Sequence, residues 1–245
     1  MPDYDQIKTQ LVRDLWFPTI RNGGDILYPR LKKNKQMKVF TLTTDTNFEE
    51  ITTLMSNKLS QKERIIAWTQ SQFKQLRLET NVSLYIVFGG TRYEDSISSP
   101  SFQLNDHLPF DVINLDFSSQ DPSFDAGRVE KEIISLEKTI RMQRNRNTNN
   151  FILIYTTILN SNNLNLTSIC SASDTCQVTG WQGLTIEYPS DISDNNQKIN
   201  CIESILCKIS QKYNYSYNFN KMNIYLSGTK IVFSIAGLLR KSEGL

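Results

Sequence analysis

An acid at the carboxyl end of an apolar run is the side chain best placed to do chemistry in this sequence. Asp116 closes Asp111-Val112-Ile113-Asn114-Leu115-Asp116. A carboxylate in that position can orient an amino group or a water, and it can equally cap the turn that follows. Glu94 and Asp95, in Arg92-Tyr93-Glu94-Asp95, follow another strand-like run. Together with Asp45 and Asp116 they would make an acidic cleft able to hold a magnesium ion, yet their spacing matches no metal motif and a solvated loop explains them as well. His107, the single histidine, is a candidate general base. It precedes the strand that ends at Asp116 and so belongs to the opposite end of that strand. Trp68 can stack on a flat ring or fill the core. Tyr213, Tyr215, Tyr217 and Phe219 alternate at period two, as a stacking platform for bases would and as one face of an amphipathic strand does.

Other chemistries are disfavoured by composition. Cys170, Cys176, Cys201 and Cys207 form two pairs with five residues between partners, wider than the two to four of common zinc sites. Cys201 and Cys207 also fall in a helix-like stretch, on different faces of it. No metal site is therefore expected. A Ser-His triad has one histidine to draw on, and neither a nucleophile elbow nor a phosphate-binding loop appears. The net charge of +2 is not the footprint of a nucleic-acid binder. Two local clusters remain, Arg30, Lys32, Lys33, Lys35 and Lys38 near the start and Arg141, Arg144 and Arg146 mid-chain. Either could meet phosphates or simply face solvent.

The elements that must position these residues read as an alternation. Residues 4–17 have helical apolar spacing in Ile7, Leu11, Leu15 and Trp16-Phe17. Pro18 is expected to stop that helix, and Gly23-Gly24 to make a turn. Residues 1–36 thus read as a helical and basic extension outside the core, and 37–245 as one α/β domain. Strand-like runs follow at 38–43, 64–68, 82–88, 111–116 and 151–155, with helices between them. Thr46 and Glu49 make a capping-box pattern before the first of these helices. Val129, Ile133, Leu136 and Ile140 stripe the clearest one. Residues 160–198 are rich in Asn, Ser, Thr and Asp and read as long loops, with a short strand at 184–186. A helix at about 198–212 and two strands, 221–227 and 230–238, joined by Ser227-Gly228-Thr229, close the chain. Strand-helix alternation argues for a mostly parallel Rossmann-like sheet with helices on both faces and an antiparallel hairpin at its end.

With this order, Phe110-Asp111-Val112-Ile113-Asn114-Leu115-Asp116-Phe117-Ser118 resembles the fourth-strand motif of class I S-adenosylmethionine-dependent methyltransferases. The resemblance covers about residues 37–160, and the final hairpin matches that family's last two strands. It implies a methyltransferase-type fold, Asp116 as the catalytic residue, and a cofactor held by Thr43, Asp45, Trp68 and Thr69. The sequence departs from the family at two places. The turn Thr43-Thr44-Asp45-Thr46-Asn47 has no glycine, so a Cβ at every position would crowd the cofactor. Ala67-Trp68-Thr69-Gln70 lacks the acid that binds the ribose hydroxyls.

Three functions follow as expectations. The first is a non-catalytic methyltransferase-like subunit of a multi-protein assembly, with a protein partner and no cofactor; a bacterial defence system is one setting for it. The second is an active enzyme that uses S-adenosylmethionine to methylate nucleic acid. The third is a nucleic-acid-binding module. At 245 residues with 39% hydrophobic composition the chain can bury a sizeable core. No apolar run approaches the ~20 residues of a membrane span, and the start lacks a signal-peptide pattern, so a cytoplasmic location is expected.

Overall fold

The computed structural model describes residues 4–27, 36–43, 48–89, 91–97, 103–117, 127–160, 193–227 and 230–242. Seven strands form one sheet: β1 (Val39–Leu42), β2 (Ile65–Thr69), β3 (Ile86–Gly89), β4 (Val112–Asp116), β5 (Asn150–Asn160), β6 (Tyr215–Ser227) and β7 (Lys230–Lys241), in the order β3-β2-β1-β4-β5-β7-β6. The first five are mutually parallel, and β7 runs antiparallel to both β5 and β6. This is the mixed α/β sheet expected from the alternation of elements.

Two apolar clusters, one per face, account for the near-continuous hydrophobic runs of the central strands. Phe40, Leu42, Ile113 and Leu115 join one cluster with Leu136 and Ile140 of α6 (Gly127–Asn145) and with Ile202 and Leu206 of α7 (Ser193–Lys212). Val39, Val112, Ile152 and Ile154 join the other with Ile51 and Leu54 of α3 (Glu49–Ser56).

The N-terminal segment differs from expectation. Ile7, Leu11, Val12, Leu15, Trp16 and Ile20 are all buried in the second cluster, so this segment is a core element. Nor does Pro18 stop the helix. α1 (Tyr4–Leu11), a π-turn at Val12–Trp16 and α2 (Phe17–Leu27) follow one another without a break. The Phe17 N–H donates to Val12 O, five residues back. This wider turn ends just before Pro18, which therefore sits in the first turn of α2, where its missing N–H matters least. Gly23 and Gly24 continue α2 instead of turning. A Cβ on Gly23 would lie 2.5 Å from Cδ1 of Ile152, so glycine there lets the helix lie close against β5.

Two further differences have local causes. α3 starts at Glu49, with Phe48 as N-cap at φ 52° and no side-chain cap bond; Thr46 lies outside the described residues. Burial of the Phe48 ring and the acids Glu49 and Glu50 in the first turn take the place of a capping box. The third strand begins at Ile86, later than the apolar pattern suggests. After α4 (Gln72–Arg77), residues Leu78–Val82 continue as a π-turn that Ser83 ends at φ 58°, with Leu84 N bonded to Leu78 O. The loops and short strand expected within 161–192, and the turn at Gly228-Thr229, lie outside the described residues.

Candidate functional site at the carboxyl ends of β1 and β4

Chain order decides where a ligand site would lie. From β1 the chain steps outward to β2 and β3, then crosses back to place β4 on the other side of β1. The gap beyond the carboxyl ends of β1 and β4 is therefore the switch point, where open α/β sheets bind ligands. Thr43 directly follows β1 and Asp116 ends β4.

Side chains of the chain itself pair at that position. The Lys8 ammonium of α1 lies 3.1 Å from Oδ2 of Asp116 and 3.2 Å from Oε2 of Glu50, in the first turn of α3. All three side chains are buried, Lys8 and Asp116 at 0% exposure. The Thr43 hydroxyl donates a short hydrogen bond to Oε1 of Glu50. The Trp16 ring, two helical turns beyond Lys8, has its centroid 5.5 Å from Lys8 Nζ, within cation–π range. Its indole N–H donates to the Ser234 hydroxyl of β7 at 3.0 Å, and that hydroxyl is 2.7 Å from the Thr156 hydroxyl of β5. One buried polar network thus ties the N-terminal helix to β1, β4, β5 and β7. Burying charge is tolerable only when partners replace water, and here each carboxylate has the ammonium within ion-pair distance. Beside this network a cavity opens between α2 and the sheet, lined by Val12, Trp16, Ile20, Thr41, Glu50 and Asn114. The amide nitrogen of Asn114 donates to Thr41 Oγ1 at 3.3 Å.

The structure gathers some of the sequence candidates and scatters others. Thr43 and Asp116 meet through Glu50 and Lys8. Asp45 lies outside the described residues. Trp68 belongs to an aromatic core, with ring centroids 5.6 Å from Tyr93 of α5 (Tyr93–Ser96) and 5.7 Å from Phe88 and its N–H donated to Thr91 O at 3.0 Å. Thr69 is buried and accepts from the Ser71 N–H at 3.3 Å, closing the turn into α4. Asp95 is exposed and paired with Lys131 at 3.4 Å, away from Asp116. Among the described residues no cluster of acids, histidines and cysteines is arranged to hold a metal ion. His107 packs its ring 5.7 Å from Phe88, and burial pulls its pKa below the usual imidazole value.

The candidate binding surfaces divide in the same way. Arg141 is exposed, while Arg146 is tied to Asn105 O at 2.9 Å. Lys38 packs over Phe110, and Arg30, Lys32, Lys33 and Lys35 lie outside the described residues. Tyr215 is buried edge-on against Phe151 and donates to Thr148 O at 2.6 Å, and Tyr213 donates to Glu137. Those two tyrosines fasten β6 and the end of α7 to the body. Cys207 accepts a hydrogen bond from Gln211. The other three cysteines are not described at the side-chain level.

Sequence reasoning missed Lys8, Glu50 and Glu132. Glu132 of α6 is fully buried and accepts from the Thr157 hydroxyl at 2.7 Å. The signal for Lys8 was its spacing: with Val12 and Trp16 it recurs every four residues, a lone cation on an apolar stripe.

Strand order, parallelism and the antiparallel C-terminal strands together define a methyltransferase-like Rossmann-type fold. No family model matches the sequence, and no curated protein matches it. Solved structures resemble it in architecture. TYW2 of M. jannaschii in complex with AdoMet is 12% identical, with a TM-score of 0.43 over 91% of this chain and 76% of that one. TYW2 of P. horikoshii in complex with MeSAdo is 9% identical, with a TM-score of 0.45 over 91% of this chain and 62% of that one. Magnesium protoporphyrin IX methyltransferase of Synechocystis with bound SAH is 9% identical, with a TM-score of 0.41 over 98% and 89%. The chain spans less than two thirds of the P. horikoshii protein. At these identities no residue of those proteins is carried over to this one. No helix among the described residues is long and apolar enough to cross a membrane.

Proposed function

We propose that this chain is a non-catalytic, methyltransferase-like subunit of a multi-protein assembly. The supporting observation is the ion pairing of Asp116 and Glu50 with Lys8 at the switch point. A carboxylate that orients a substrate amino group or water needs free lone pairs and access from solvent. Asp116, at 0% exposure, has its charge met by an ammonium of its own chain. A substrate group that needs Asp116 would have to displace that ammonium.

Displacement is the costly step. Lys8 is carried by a helix whose Ile7, Leu11, Val12, Leu15, Trp16 and Ile20 are buried. At ~1.5–3 kcal/mol for each side chain, lifting the segment away forfeits about 9–18 kcal/mol. That matches the whole stability of an ordinary domain, about 5–15 kcal/mol. The helix therefore acts as a permanent part of the sheet's cover, not as a lid. The absence of glycine from Thr43-Thr44-Asp45-Thr46-Asn47 supports the same reading.

Two measurements test it. Incubation with methyl-labelled S-adenosylmethionine and nucleic acid is expected to give no transfer; transfer that disappears in Asp116→Ala would restore the enzyme. Purification of the tagged chain from its native cells is expected to recover a partner protein in fixed ratio, and recovery of the chain alone would contradict the assembly.

A further inference from the structure

Beside β3, an edge strand of the sheet, three large apolar side chains stand in solvent. Phe73 is 69% exposed, Leu76 57% and Tyr85 65%. Phe73 and Leu76 are three residues apart on α4 and share a face. Each ring carries a cation of this chain: Arg77 lies 5.9 Å from the Phe73 centroid and Lys62 5.2 Å from that of Tyr85. Residues 58–85 hold five lysines and arginines against two glutamates; of the five, Arg64 pairs with Asp111, while Lys62 and Arg77 stand at the exposed rings.

We propose that this surface docks a linear, acidic segment of a partner protein that carries large apolar side chains. The inference rests on the subunit reading above and names the chemistry of the partner. Size favours a narrow occupant over a second folded body. From their exposure the three side chains offer on the order of 400 Å², whereas a stable interface between folded proteins takes about 800 Å² from each. A peptide laid along α4 needs no more. Charge then selects the peptide: carboxylates meet Lys62 and Arg77, and its apolar side chains cover Leu76 and the ring edges. A nucleic-acid strand is matched less well, because one face of each ring is taken by a cation and Leu76 offers nothing on which a base can stack.

The full-length protein is panned against a phage-displayed library of random dodecapeptides, with Phe73→Ser/Tyr85→Ser as the counter-selection. Both residues are exposed, and circular dichroism verifies that the variant keeps its fold. The expected winners are rich in Asp and Glu around Leu, Phe or Tyr. A synthetic winner should bind at least tenfold more weakly to Phe73→Ser and to Lys62→Glu, and labelled oligo(dT) should not displace it. No enrichment over the variant, basic winners, or displacement by oligo(dT) with the same mutant sensitivity overturns the proposal. S-adenosylmethionine binding is read on the same preparations. Loss of the peptide result without cofactor binding removes this surface alone, whereas cofactor binding removes the subunit reading whether or not the peptide binds.

Discussion

Lys8 joins the N-terminal helix to the sheet by charge. Its ammonium is the counter-charge for both Asp116 and Glu50, and all three are buried. Lys8→Met keeps the volume and removes the positive charge that both buried carboxylates face. We expect a loss of about 3–5 kcal/mol in denaturant unfolding, with most of it recovered in Lys8→Met/Glu50→Gln/Asp116→Asn. A loss below about 1 kcal/mol in the single variant would show that the pairs do not form. Glu203 of α7 is a second residue with a defined signature. It is buried, its Oε1 has no hydrogen-bond partner among the described residues, and burial pushes its pKa up to about 8. Because the folded acid binds its proton more tightly than the unfolded one, the folded state holds more protons between its ordinary pKa and about 8. Stability from this group therefore falls as pH rises across that window and levels off above it. In unfolding midpoints taken between pH 5 and 9, Glu203→Gln should lose this decline, and an unchanged slope would contradict it. Asp116 was legible from sequence because an acid ending an apolar strand is a local pattern. Its partner was not, because Lys8 lies more than a hundred residues away and only tertiary packing brings the two together.

At the scale of elements, the strands were the most legible feature. β1, β2, β4 and β5 fall where runs of β-branched and aromatic residues place them, since burial on both faces imposes a continuous apolar signature. The N-terminal helix runs on past its expected end for a physical reason. Pro18 and Gly23-Gly24 are breakers by local propensity, and both are overridden here, Pro18 by a π-turn and Gly23 by the closeness of α2 to Ile152. That closeness can be tested. In Gly23→Ala, better helix propensity favours folding by ~1 kcal/mol, while a Cβ 2.5 Å from Ile152 Cδ1 opposes it by ~1–3 kcal/mol. Overpacking should win, with a net loss of about 1 kcal/mol. Gly23→Ala/Ile152→Val, which removes the nearer of the two Ile152 carbons that a Cβ would meet, should be more stable than the sum of the single changes. Simple additivity in that double-mutant cycle would deny the contact.

At the scale of the whole molecule, a sheet of methyltransferase-like order is joined to an N-terminal helix whose Lys8 pairs with Asp116 and Glu50 at the switch point. The fold class could be read from the alternation of elements. The Lys8 pairing could not, because the absence of glycine after β1 says only that a cofactor would be crowded, not which side chains meet nearby. If Lys8 is a permanent occupant, the folded protein has no room for a ligand that needs Asp116, and ligand linkage reports this directly. Thermal unfolding across a concentration series of S-adenosylmethionine is the decisive measurement. A ligand binding only the folded state at 100 times its dissociation constant would add about 2.7 kcal/mol and raise the midpoint by several degrees in a domain of this size. We predict an unchanged midpoint up to millimolar ligand. A rise that grows with concentration would contradict the account, since it would mean that the folded protein holds the cofactor.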